Sequence, residues 1–277
     1  MRQLIHRITH LAAALLLCAT VAAQSYQTEV EKALSALAAD SLSVAEAHLR
    51  EAMHIQPAAA SNAILLRYLG QIQERRGQLD KALESYSLGL QQAPASQELL
   101  LNRASLHLRL SDESRALSDY EAVLTANPDQ REALFFRAYL LSKQRLYKQA
   151  RLDYERLIRL DPMHEKARLG LALLNNKDNR PREAMEQMNL LVQVFPTHAA
   201  NYAVRAGMEQ ERRQYELARH DYDKAIELEP GNADYYLSRG AFLLSIKKKK
   251  LARADFQKAL ECGASREDVA ALLQQTR

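Results

Sequence analysis

Residues 151–162 read RLDYERLIRLDP and residues 219–230 read RHDYDKAIELEP, two nearly identical twelve-residue segments that end on proline at the same place. Outward from them, Pro94, Pro128, Pro162, Pro196 and Pro230 recur every 34 residues. Pro57 precedes Pro94 by 37 residues, and Ala264 takes the slot one period after Pro230. A fixed period of this length marks a stacked repeat architecture, and seven units align on it.

Twelve residues before each slot stand Ala45, Ala82, Ala116, Ala150, Ala184, Ala218 and Ala252. Twenty-four residues before stand Ala33, Gly70, Ala104, Ala138, Ala172, Ala206 and Gly240. Two columns of small residues let paired helices approach closely, where a larger side chain would force them apart. Eight residues before the slot the column turns bulky, with Leu49, Tyr86, Tyr120, Tyr154, Met188, Tyr222 and Phe256 filling the space the small residues leave. Only 8 glycines and 7 prolines interrupt a chain rich in helix formers, so helix is expected nearly throughout. The proline is expected to open the next unit, since it lacks an N–H and is tolerated at helix starts.

On these columns the chain resembles the tetratricopeptide repeat family over residues 26–264, with Gly70, Ala82, Tyr86 and Pro94 in one unit and Ala206, Ala218, Tyr222 and Pro230 in another. The usual tryptophan slot holds Leu66, Leu100, Leu134, Tyr202 and Tyr236, and departs further at Glu29 and Arg168, so looser packing is expected in the first and fifth units. The resemblance implies an all-α fold, a right-handed α-solenoid with units near 26–59, 63–96, 97–130, 131–164, 165–198, 199–232 and 233–264. Residues 265–277 read as a capping helix with Ser265 as N-cap and acidic residues in the first turn. The three additional residues after Pro57, in PAAASNA, read as a loosened joint.

The family usually holds a protein or peptide on the concave groove lined by first helices. Projected onto this sequence, that face includes Arg67, Gln71, Leu101, Ser105, Phe135, Tyr139, Leu169, Leu173 and Ala203, apolar and partly aromatic in its middle, with Phe135 and Tyr139 as candidate anchors. Arg67 and Asn102 stand in slots of the family's carboxylate clamp, but Glu98, Glu132 and Phe136 occupy positions where that clamp needs polar or basic groups, so it is not expected.

Arg103, Arg137, Arg205 and Arg239 are each followed 16 residues later by an aspartate, Asp119, Asp153, Asp221 and Asp255. Units without the arginine lack the aspartate too, carrying Lys32 with His48, Leu69 with Ser85, and Leu171 with Gln187. This co-occurrence predicts a bidentate bridge between the two helices of a unit rather than a ligand site.

The opening MRQLIHRITHLAAALLLCATVAAQS has a basic start, an apolar run from Leu11 to Ala23 and small residues before Gln24, the layout of a secretory signal peptide over residues 1–23 cleaved after Val21-Ala22-Ala23. The apolar run of 13 residues is short of a membrane span, which needs about 20. Leu17 before Cys18 departs from a lipoprotein box, which wants a small residue there. The mature domain, residues 24–277, is expected in the periplasm or otherwise outside the cytoplasm, with Cys262 its only cysteine. Without Arg2 and Arg7, 36 basic residues stand against 34 acidic, a balance that does not suggest a nucleic-acid binder.

Neither a phosphate-binding glycine loop nor a zinc pattern is present, so no catalytic residue, metal or cofactor is expected, nor a small-molecule substrate. The run Lys247-Lys248-Lys249-Lys250 is read first as a solvated turn, with contact to an anionic surface as the alternative. The resulting expectation is an exported scaffold binding protein segments through its groove. A second reading is a structural subunit of an envelope assembly held through its convex face or its ends.

Overall fold

The computed structural model describes the backbone of residues 2–277 and the side chains of residues 20–277. The expected signal segment up to residue 19, with Cys18, therefore lies outside the described side chains. The chain is all-α, with no strand among the described residues, and divides into two compact units, Met1–Phe136 and Arg137–Arg277. In the first unit run α1 (Arg2–Ala38), α2 (Leu42–Ile55), α3 (Asn62–Arg75), α4 (Leu79–Gln92), α5 (Gln97–Arg109), α6 (Glu113–Ala126) and the start of α7 (Arg131–Lys143). The second holds the rest of α7, then α8 (Tyr147–Leu160), α9 (Glu165–Lys177), α10 (Pro181–Val194), α11 (Ala199–Glu211), α12 (Tyr215–Leu228), α13 (Ala233–Ser245), α14 (Lys249–Glu261) and α15 (Arg266–Gln275). Within each unit, helices pair as antiparallel hairpins and each hairpin packs on the next.

The small and bulky columns meet as their chemistry requires. All seven alanines of the second helices are fully buried, and Tyr86, Tyr120 and Phe256 lie against the small residues of the first helices with no exposed surface. At Gly70 and Gly240 the partner ring leaves no room for a methyl group: a Cβ would sit 2.7 Å from Tyr86 Cδ1 in one case and 2.6 Å from Phe256 Cε1 in the other.

The five prolines spaced 34 residues apart do not open helices; each follows the end of one, whereas Pro181, outside that series, opens α10. Ala93, Asn127, Asp161, Phe195 and Glu229 each cap a second helix just before proline, with φ between −120° and −145° and ψ between 64° and 90°. Proline's ring pushes the preceding residue out of helical geometry, which ends the helix, and the next one begins only after a short turn. In the last hairpin Gly263, at φ 96°, does this work instead, with Ala264 N–H donating to the Ala259 carbonyl at 2.9 Å.

The polar occupants of the tryptophan slot are also accommodated. Tyr202 and Tyr236 hydroxyls donate to the Pro196 and Pro230 carbonyls, and Arg168 Nε donates to the Pro162 carbonyl at 2.8 Å. Glu29 pairs with Lys32 at 2.8 Å and His48 at 2.6 Å. The joint after Pro57, expected loose, is laced: buried Asn62 donates to the Gln56 and Pro57 carbonyls, and the Tyr26 hydroxyl donates to Asn62 Oδ1 at 3.1 Å. Ser265 precedes α15 as its N-cap residue without a side-chain cap bond, while Glu267 and Asp268 stand in the first turn.

Candidate partner-binding surface

The expected groove residues fall in two columns of the first helices, which the structure treats differently. The fifth position of each repeat, Arg67, Leu101, Phe135, Leu169 and Ala203, is half-buried throughout. Leu169 packs on the Ala172, Ala184 and Met188 core cluster, and the Phe135 ring meets Phe136 edge-on at 5.2 Å. The ninth position, four residues further along the same helix face, opens toward solvent. There Gln71 and Ser105 are half-exposed, while Tyr139 at 44% and Leu173 at 42% are among the large hydrophobic residues the fold leaves uncovered.

In the first unit, α3 and α5 border a cavity of about 560 Å³ lined by Gln71, Glu74, Tyr86, Asn102, Ser105 and Arg109, among others. Its chemistry is polar, unlike the apolar and aromatic character expected for the middle of the face. Glu74 accepts from the Tyr86 hydroxyl at 2.5 Å and pairs with Arg109 at 2.5 Å, so it is anchored from both sides. Burial, reinforced by the Glu74 charge, pushes the Tyr86 phenol well above its usual range. Arg67 lies over the Tyr68 ring at 4.4 Å and pairs with Glu98 at 3.0 Å without hydrogen-bond alignment. Asn102 Nδ2 is shielded from solvent and has no hydrogen-bond partner. An unmet buried amide donor of this kind costs about 1–3 kcal/mol.

Between the two helices of a hairpin the arginine and aspartate columns are paired. All four arginine–aspartate pairs form bidentate bridges: 2.9 and 2.7 Å for Arg103–Asp119, 2.7 and 2.7 Å for Arg137–Asp153, 2.5 and 2.9 Å for Arg205–Asp221, and 2.9 and 2.7 Å for Arg239–Asp255. In three of the four the remaining nitrogen reaches the preceding hairpin, where Arg103 donates to Ser87, Arg205 to Asn189 and Arg239 to Asp223. Each such arginine thus fastens its own hairpin and the one before. Units without it substitute other polar contacts, Ser85 to Gln73 and Arg168 to Gln187.

Sequence reasoning passed over a buried polar column four residues beyond the arginine slot. Gln73, His107, Asn175 and Glu209 are all buried there, with Leu141 and Leu243 in the same slot of two other units. Burial pushes His107 down and, together with the Asp221 charge, pushes Glu209 up to about 7. The spacing from the arginine was visible in the sequence; its consequence for the carboxyl required the packing. Among the described residues no group of His, Cys, Asp and Glu could hold a metal ion.

The sequence matches the family profile described as tetratricopeptide repeat over residues 30–96, 101–154, 137–199 and 209–267. It is 32% identical to a tetratricopeptide repeat protein from Parabacteroides merdae, whose crystal structure aligns over 91% of this chain and 99% of that one with a TM-score of 0.71. MamA from Desulfovibrio magneticus is 24% identical and aligns over 61% of this chain and 95% of its own, with a TM-score of 0.58. YrrB, described as a repeat protein of this type with an unusual peptide-binding site, is 16% identical and aligns over 69% of this chain and 99% of its own, with a TM-score of 0.51. The latter two show a shared fold. No curated protein matches the sequence.

Proposed function

The chain belongs to the tetratricopeptide repeat family, and on that premise we propose that it is an exported scaffold that holds a polypeptide segment on the surface of its first helices. The observation that carries this reading is the cavity of about 560 Å³ between α3 and α5, whose lining includes the side-chain amide residues Gln71 and Asn102 beside Ser105. Side-chain amides offer a donor and an acceptor together, the complement of a peptide group, and they read main chain rather than sequence. In the second unit the same ninth column supplies Tyr139 and Leu173, apolar anchors of the kind that add affinity when a partner covers them.

Export is supported by the basic and then apolar opening of the sequence. Residues 20–23, just before the expected cleavage point, are exposed or half-exposed. Among the described residues no helix is long and apolar enough to cross a membrane. The scaffold needs no chemistry of its own, since shape and polar complementarity suffice for binding.

The test is photocrosslinking in the native envelope from single positions. A crosslinker at Ser105 or Leu173 is expected to capture a polypeptide, while one at Leu152, which is 58% exposed on α8, is not. Capture from Leu152 alone would move the interface to the second helices and favour a structural subunit instead.

A further inference from the structure

In the second unit the two kinds of connection carry opposite charge. Because consecutive helices pack antiparallel, the turns inside hairpins gather on one edge of the stack and the connections between hairpins on the other. Counted from the last residue of one helix to the second of the next, the turns at 143–148, 177–182, 211–216 and 245–250 hold twelve Lys or Arg against three acids. The connections at 160–166, 194–200 and 228–234 hold four acids and one lysine. That segregation is invisible in the near-neutral total.

Three further observations separate this edge from an ordinary solvated surface. In the first unit the turn cations are neutralised, Arg75 by Asp40, Arg76 by Glu46 at 2.6 Å and Arg109 by Glu74. In the second, Arg180 pairs with Asp178 at 3.5 Å and Lys249 donates to the Arg277 carbonyl, but Arg145, Lys177, Arg213, Lys247, Lys248 and Lys250 make no side-chain ion pair or hydrogen bond. The left-handed turn residue also differs: it is Asp40, Gly77 and Ser111 in the first unit, but Arg145, Asn179, Arg213 and Lys247 in the second, at φ 56° to 64°. Glycine sits there without strain, so a long cationic side chain is a costly choice for a turn that needs only to turn. Finally, Leu146, Tyr215, Leu217 and Leu251 stand exposed beside these cations.

We propose that the hairpin-turn edge of residues 137–277 docks on the surface of an anionic lipid bilayer. Dispersed unpaired cations match a field of headgroup charge, and interleaved leucine and tyrosine side chains match the interfacial zone beneath it. An acidic polypeptide would satisfy the cations but leave the exposed Leu and Tyr side chains without a comparable apolar layer.

The experiment is co-sedimentation of the mature chain with vesicles of phosphatidylcholine alone or with about 30% phosphatidylglycerol, at ~100 mM salt. The expected result is binding to the anionic vesicles about tenfold stronger than to the neutral ones, weakening as salt rises. The triple variant K247Q/K248Q/K250Q and the double variant R145G/R213G should each lower the anionic partition by about tenfold. The glycine variant removes charge where glycine is conformationally favoured, so circular dichroism and melting should show its fold retained. Equal binding to both vesicle types, no binding, or unaltered partition of both variants would overturn the proposal. So would binding to soluble polyglutamate with no binding to the anionic vesicles, which would assign the edge to an acidic polypeptide.

Discussion

A methyl group added at Gly70 would overlap the Tyr86 ring, whereas at Gly207 the nearest atom, the Tyr222 hydroxyl oxygen, lies 3.9 Å away. Both glycines lie inside helices, where alanine is intrinsically better by about 1 kcal/mol. Gly70→Ala is therefore expected to destabilise by about 1–2 kcal/mol, overpacking outweighing propensity, and Gly207→Ala to stabilise by about 0.5–1 kcal/mol, both read by urea melts. Glu209 gives a second test at this scale. Its carboxyl, held among Asp221, Arg205, His220 and Arg212, is pushed up to about 7 by burial and by the Asp221 charge. The folded state keeps a proton there that the unfolded chain has already released, so this group's contribution to stability is greatest at acidic pH and falls as pH rises to about 7. Glu209→Gln should remove that slope, raising stability by about 1–2 kcal/mol at pH 8 with little change near pH 4, measured by thermal unfolding across pH.

At the level of the hairpin, the repeating arginine is a fastener shared between helices. Asp255 is 6% exposed, and Arg239 holds both of its oxygens while reaching Asp223 with its remaining nitrogen. Arg239→Ala leaves a buried carboxylate uncompensated and is expected to cost about 3–5 kcal/mol. The double variant with Asp255→Ala should cost less than the sum of the two singles, a coupling of about 2 kcal/mol in denaturant titrations. This bridge was legible in the sequence because arginine and aspartate appear and vanish together at a spacing of 16. The small and bulky columns were legible for a similar reason, since one packing solution is written repeatedly. The role of the proline was not: its place at each repeat boundary suits either a helix start or a helix stop, and only the dihedral angles of the preceding residue separate them. Nor was the lacing of the joint after Pro57, which depends on Asn62 and Tyr26, 36 residues apart, coming into contact.

For the whole molecule, periodicity made the architecture legible and left the binding surface half-read. Projection onto a helix finds the fifth and ninth positions together, because both point from one face. It does not tell that packing draws Leu169 and Phe135 inward while Tyr139 and Leu173 stay open, or that Glu74, Tyr86 and Arg109 make the first unit's cavity polar. Retention of a partner polypeptide is assigned to these ninth-position residues. It is tested most directly by the affinity of the crosslinked partner's captured segment for the mature chain and for two variants, Gln71→Ala with Asn102→Ala, and Tyr139→Ala with Leu173→Ala, each checked for retained helix. At least one pair is expected to weaken binding about tenfold or more. Unchanged affinity in both, with the fold intact, would contradict it.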